Sequence, residues 1–209
     1  MKHPYLLYGV TDRGCLKERT LLEAVREALE GGATIIQLRE KQLSYELFLK
    51  EAKEIKELTD AYQVPLIIND NVELAKEVDA AGVHIGQEDA SLTEARKLLG
   101  EDKIIGVSAH NLEEAKKAES CGANYLGVGA VFPTSTKKDA TPLTKEMLQA
   151  ICEGVSIPVV AIGGITKENM DTLKGTGIKG VALVSAIFGQ EEILPATKEL
   201  RKKVEAIVG

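Results

Sequence analysis

Short apolar runs alternate with longer stretches of mixed polarity from one end of this chain to the other. The runs fall at 5–10, 34–39, 65–69, 82–85, 103–107, 124–128, 158–162 and 180–184 and are rich in Val and Ile. Continuous β-branched runs of that length suit strands covered on both faces. Between them, 20–31, 44–62, 72–80, 91–99, 111–121, 144–154, 166–175 and 191–207 are rich in Ala, Leu, Glu and Lys and read as helices. Ser44, Ser91, Thr144 and Thr166 stand where N-caps are wanted. Gly32, Gly82, Gly100 and Gly122 stand at the returns from helix to strand, where a left-handed C-cap is useful.

Eight strand–helix units follow one another without a linker or a break in composition, and this predicts a single (β/α)8 barrel spanning residues 1–209. Recurrent phrases mark the period: Gly31-Gly32-Ala33-Thr34, Ala81-Gly82-Val83-His84, Cys121-Gly122-Ala123-Asn124 and Thr176-Gly177-Ile178-Lys179 each end a helix and open a strand. A doubly wound sheet uses the same grammar, but no Gly-rich dinucleotide fingerprint follows the first strand.

Composition narrows the range of partners. The net charge of −6 argues against a nucleic-acid surface, and no dense Lys/Arg stripe offsets it. No apolar run is long enough to span a bilayer, and the N-terminal residues have neither signal- nor transit-peptide character, so a cytoplasmic protein without membrane partners is expected. Cys15, Cys121 and Cys152 lack metal-ligand spacing and read as free thiols. Oligomeric state is left open, a homo-oligomer included.

In a barrel of this kind, chemistry belongs on the loops at the carboxyl ends of the strands. The second strand runs into Gln37-Leu38-Arg39-Glu40-Lys41, where alternation sends Gln37, Arg39 and Lys41 to one side and Leu38 to the other. Two cations and an amide together can hold a multiply charged anion; an ordinary solvated strand end is the alternative. Asn69 and Asp70 end the third strand, Asp89 follows the fourth, and Ser108 and His110 follow the fifth. Asp70 and Asp89 lie after neighbouring strands and together suit Mg2+, or each caps a local turn. Gly163-Gly164 and Val184-Ser185 follow the seventh and eighth strands, a frequent place for a phosphate on backbone N–H groups. Thr134, Ser135, Thr136, Lys137 and Lys138 form a donor-rich loop after the sixth. His84, inside an apolar run, reads as a hydrogen-bonded core histidine, and His110 as a local structural group. Two anion sites, a metal between carboxylates and little covalent chemistry fit the displacement of pyrophosphate from an activated carbon.

These pieces, in this order, resemble the thiamine phosphate synthase family. The resemblance runs from Tyr8-Gly9-Val10-Thr11-Asp12 to Val184-Ser185-Ala186-Ile187, through Gln37-Leu38-Arg39-Glu40-Lys41, Ile68-Asn69-Asp70, Gly86-Gln87-Glu88-Asp89, Gly106-Val107-Ser108-Ala109-His110, Pro133-Thr134-Ser135-Thr136-Lys137 and Gly163-Gly164-Ile165. It implies condensation of hydroxymethylpyrimidine diphosphate with hydroxyethylthiazole phosphate, giving thiamine monophosphate and pyrophosphate. It further implies that Gln37, Leu38, Arg39, Glu40, Lys41, Asn69, Ser108 and Lys137 hold the pyrimidine diphosphate, with Arg39, Lys41, Ser108 and Lys137 acting in catalysis. Asp70 and Asp89 would hold Mg2+, and Thr134, Ser135, Thr136, Gly164, Val184 and Ser185 the thiazole phosphate. The implied mechanism is dissociative: pyrophosphate leaves, a pyrimidine-stabilised cation forms, and the thiazole nitrogen captures it. Two alternatives remain: a thiazole tautomerase-like barrel using His110 as acid and base, and a non-catalytic barrel that senses a phosphorylated metabolite.

Overall fold

A computed structural model describes residues 4–87, 92–134 and 142–208. Eight parallel strands, β1 (Leu7–Val10), β2 (Ile35–Leu38), β3 (Leu66–Asn69), β4 (Gly82–Ile85), β5 (Ile104–Ala109), β6 (Tyr125–Val128), β7 (Val159–Ile162) and β8 (Gly180–Leu183), close in sequence order, with β8 pairing back to β1. The register sets Tyr8 opposite Ile35 on one side and Ala182 on the other. The helices are α1 (Leu21–Glu30), α2 (Tyr45–Ala61), α3 (Val72–Glu77), α4 (Leu92–Leu99), α5 (Leu112–Ser120), α6 (Lys145–Gly154), α7 (Ser185–Phe188) and α8 (Ile193–Val208). The expected (β/α)8 barrel is therefore the fold.

Strand alternation divides the apolar side chains into two cores. One set of strand residues, including Ile36, Leu38, Ile68 and Val83, packs outward against the helices. The other set, Tyr8, Val10, Ile35, Ile67, Tyr125, Val160 and Ala182, fills the barrel interior. Helix starts follow the expected chemistry at Ser44 and Thr144, whose hydroxyls accept the N–H of Leu47 and Met147. Ser91 lies outside the described residues.

Two local readings change. The stretch 166–175 folds only into a single 3-10 turn, Met170–Leu173. Here Asn169 donates to Gly164 O and accepts from Thr166 N, while Thr172 and Thr176 donate back to Asn169 O and Leu173 O. Side chains that satisfy the backbone locally compete with a regular helix. Gly82, in turn, is the first residue of β4 rather than a C-cap. The left-handed residue of that return is Asp79, at φ 51°, and a Cβ on Gly82 would overlap the Ile104 carbonyl. Gly32, Gly100 and Gly122 do adopt positive φ as expected.

Candidate active site

The carboxyl ends of the strands surround an open cavity of about 470 Å³. Its floor is Tyr8, Gln37, His84 and Tyr125, and its walls come from the loops after the strands.

On the β2 side, Gln37, Arg39 and Lys41 line the cavity, as alternation requires. The Arg39 backbone N–H donates to Thr11 Oγ1 at 2.9 Å, tying the end of β2 to that of β1. The Arg39 guanidinium lies 3.4 Å from Asp12 Oδ2. Lys41 Nζ lies 2.6 Å from Asp70 Oδ2, and Asn69 stands beside it on the cavity wall. Asp70 adopts φ 63°, with its N–H bonded to His84 O at 2.8 Å. Few residues other than glycine accept that region, and Asp is among those that do. Two members of the expected segment are not brought to the cavity. Leu38 is fully buried among the helices, where its strand face turns it. Glu40 is drawn to Arg13, which also binds Glu51 at 2.5 Å. Burial pushes the Glu51 carboxyl up from its ordinary range, against the downward pull of the Arg13 guanidinium.

Across the cavity stand Gly163, Gly164, Val184 and Ser185. Gly163 and Gly164 adopt φ 98° and 65°. A Cβ on Gly164 would overlap the Pro133 carbonyl, so the turn demands glycine twice over, by dihedral and by space. Ser185 opens α7, whose first N–H groups have no acceptor within the helix. Thr134 joins this wall. Asp89, Ser135, Thr136, Lys137 and Lys138 lie outside the described residues.

Ser108 and His110 line the cavity from β5 and the loop after it. Both the backbone N–H and Nδ1 of His110 meet Glu114 Oε2, at 2.7 and 3.0 Å. These bonds tie His110 to the first turn of α5. His84 is indeed a hydrogen-bonded core histidine, bound to Tyr125 and Ser108. The sequence reading gave no role to Tyr8, Thr11, Asp12 or Tyr125, all of which line the cavity. Thr11-Asp12 carried a signal, since it follows the first strand just as Asn69-Asp70 ends the third.

A Mg2+ ion suits the Asp70 side of the cavity. The carboxylate there already holds one cation, the Lys41 ammonium, and Mg2+ is commonly bound by one or two carboxylates with substrate phosphates and water completing the shell. Among the described residues, no three His, Cys, Asp or Glu side chains converge into a self-sufficient metal cage.

Comparison with known proteins gives a consistent picture. The thiamine monophosphate synthase family profile matches residues 7–187. The chain is 52% identical over 194 residues to a thiamine-phosphate synthase of Clostridium tetani, covering 93% of each chain. It is 50% identical over 206 residues to one of Clostridium botulinum, covering 99% of this chain and 97% of that one. A solved structure of thiamine phosphate pyrophosphorylase from Pyrococcus furiosus superposes with a TM-score of 0.92 at 44% identity, over 100% of this chain and 99% of the other.

Proposed function

This chain belongs to the thiamine monophosphate synthase family, and from that premise we propose how its barrel mouth divides the work of the reaction. The enzyme is a thiamine-phosphate synthase: it condenses the pyrimidine and thiazole precursors into thiamine monophosphate. The observation that carries the proposed division is the cavity itself. Arg39, Lys41 and Asp70 line it from the ends of β2 and β3, Ser108 from β5, and the glycine turn and the start of α7 from the ends of β7 and β8.

The pyrimidine diphosphate binds on the β2 side. Arg39 offers a planar fork of donors to its oxygens, Lys41 a compact charge, and Asn69 and Ser108 neutral polar contacts. Glu40 acts through Arg13, as an anchor for the loop that carries both cations. Mg2+, held by Asp70 and Asp89, would neutralise the charge that develops on the departing diphosphate. Lys41, paired with Asp70 in the structure, would offer its ammonium to that same anion. The thiazole phosphate binds on the opposite side, to the N–H groups around Gly164, Val184 and Ser185 and to the hydroxyls of Thr134, Ser135 and Thr136. Lys137 adds a further ammonium to the diphosphate site.

With both anions fixed, the thiazole nitrogen is held against the pyrimidine methylene, and positioning replaces covalent catalysis. A dissociative path suits this inventory, because it asks the protein to receive negative charge on the leaving group and to supply no strong base. A cytoplasmic location completes the reading, supported by three free thiols.

Asp70→Asn tests the division. It keeps a residue tolerant of the left-handed backbone and removes one metal-binding charge. Mg2+-dependent pyrophosphate release should fall roughly a hundredfold or more. Unchanged release at limiting Mg2+ would remove Asp70 from the metal site.

A further inference from the structure

The cavity floor holds an unbroken line of polar side chains whose direction the reading above leaves unassigned. Gln37 Nε2 donates to Tyr8 Oη at 2.9 Å. The Tyr8 and Tyr125 phenol oxygens lie 2.7 Å apart. Tyr125 Oη is 2.9 Å from His84 Nδ1, and His84 Nε2 is 3.0 Å from Ser108 Oγ. The line crosses the barrel from β2 through β1, β6 and β4 to β5. Tyr8 and Tyr125 are fully buried, and Gln37 and His84 nearly so. Glycine makes room for it: a Cβ on Gly106 would overlap the Tyr125 ring, and one on Gly127 would come within 2.9 Å of the His84 ring.

Such a line has only two self-consistent directions, because each phenol and the neutral imidazole pass on one proton. With Gln37 Nε2 as donor, Tyr8 accepts, and its own proton goes to Tyr125. Tyr125 then donates to Nδ1, so the His84 proton sits on Nε2 and is given to Ser108 Oγ. One proton is left over, that of the Ser108 hydroxyl, which lines the cavity. The other end of the line demands the same direction. A diphosphate offers only acceptors, so a serine that binds it must donate. Burial holds both phenols well above their ordinary range, and each keeps its proton to pass on. The opposite direction would set the Tyr8 proton against the Gln37 N–H, and only a flipped amide would relieve that clash.

We propose that Tyr8, Tyr125 and His84 are positioning residues that fix His84 as its Nε2–H tautomer and so leave the Ser108 hydroxyl free to donate to the departing diphosphate. The last step rests on the diphosphate site assigned above; the tautomer does not. The test is ¹⁵N–¹H correlation on ligand-free protein labelled with [¹⁵N]histidine, with His3→Gln and His110→Gln identifying the His84 signals. The expected His84 spectrum shows Nε2 protonated and Nδ1 bare. Tyr125→Phe deprives Nδ1 of its donor, so both tautomers should then appear. In the same variant kcat should fall roughly ten- to a hundredfold, with KM for the thiazole phosphate unchanged. An Nδ1–H tautomer in the wild-type protein overturns the proposal, and so does Tyr125→Phe turning over at the wild-type rate. The wild-type spectrum decides by itself if Tyr125→Phe does not fold, and it reads the same whether or not the diphosphate site is correctly assigned.

Discussion

Asp70 combines a backbone demand with a charge, and substitutions separate the two. At φ 63° an alanine would sit in the left-handed region, at a cost of about 1 kcal/mol that asparagine largely escapes. Asp70→Ala should therefore unfold at a measurably lower temperature than Asp70→Asn in a thermal melt, while Mg2+-dependent pyrophosphate release falls in both. Equal melting temperatures would show that the positive φ carries no cost here. Arg39 divides the substrates in a similar way. Arg39→Ala should weaken binding of the pyrimidine diphosphate by about tenfold or more in calorimetry and leave the thiazole phosphate unaffected. Equal losses would erase the division into two sides. The polar residues at strand ends, Gln37, Arg39, Lys41, Asn69 and Asp70, were legible in the sequence because alternation and strand order place them together. Tyr8 and Tyr125 were not. Each sits within an apolar run, and such a run does not reveal whether an aromatic faces the barrel interior or the helices.

The loops and short turns after the strands set how closely each wall approaches a ligand. Around Gly163, Gly164 and α7 the approach is made by main chain, so the side chain of Ser185 adds one hydroxyl to an amide-built site. Ser185→Ala should raise KM for the thiazole phosphate by less than about tenfold. Total loss of activity would show that the hydroxyl outweighs the amides. Beneath the cavity, Gly106→Ala should destabilise the fold by about 1–3 kcal/mol, because the added methyl meets the buried Tyr125 ring. A chemical denaturation curve reads this directly. The strands and the longer helices were legible from periodicity. The 3-10 turn Met170–Leu173 and the single-turn α7 were not, because the first is built on side chains bonding to nearby carbonyls and the second is too short for a hydrophobic period to record.

Taken as a whole, the chain is acidic and its substrates are anions, so the general field opposes binding. Attraction has to be local. In the proposed site Arg39 and Lys41 would supply it on one wall, yet each already faces a carboxylate, Asp12 at 3.4 Å and Asp70 at 2.6 Å. In the proposed site, Lys41 would come fully into play for the diphosphate only when another positive charge takes over at Asp70. Under that proposal Mg2+ would be a structural requirement of the mouth as well as an electrostatic one, and metal loading would be linked to grip on the leaving group. Among the described residues, no helix is long and apolar enough to cross a membrane. The most direct measurement supplies both substrates to the purified protein, with Mg2+ and then with the metal chelated, and follows pyrophosphate and thiamine monophosphate together. The account predicts the two products in equal amounts with Mg2+ and a near-complete loss of both on chelation. Equal turnover without the metal, or pyrophosphate released without thiamine monophosphate, would contradict it.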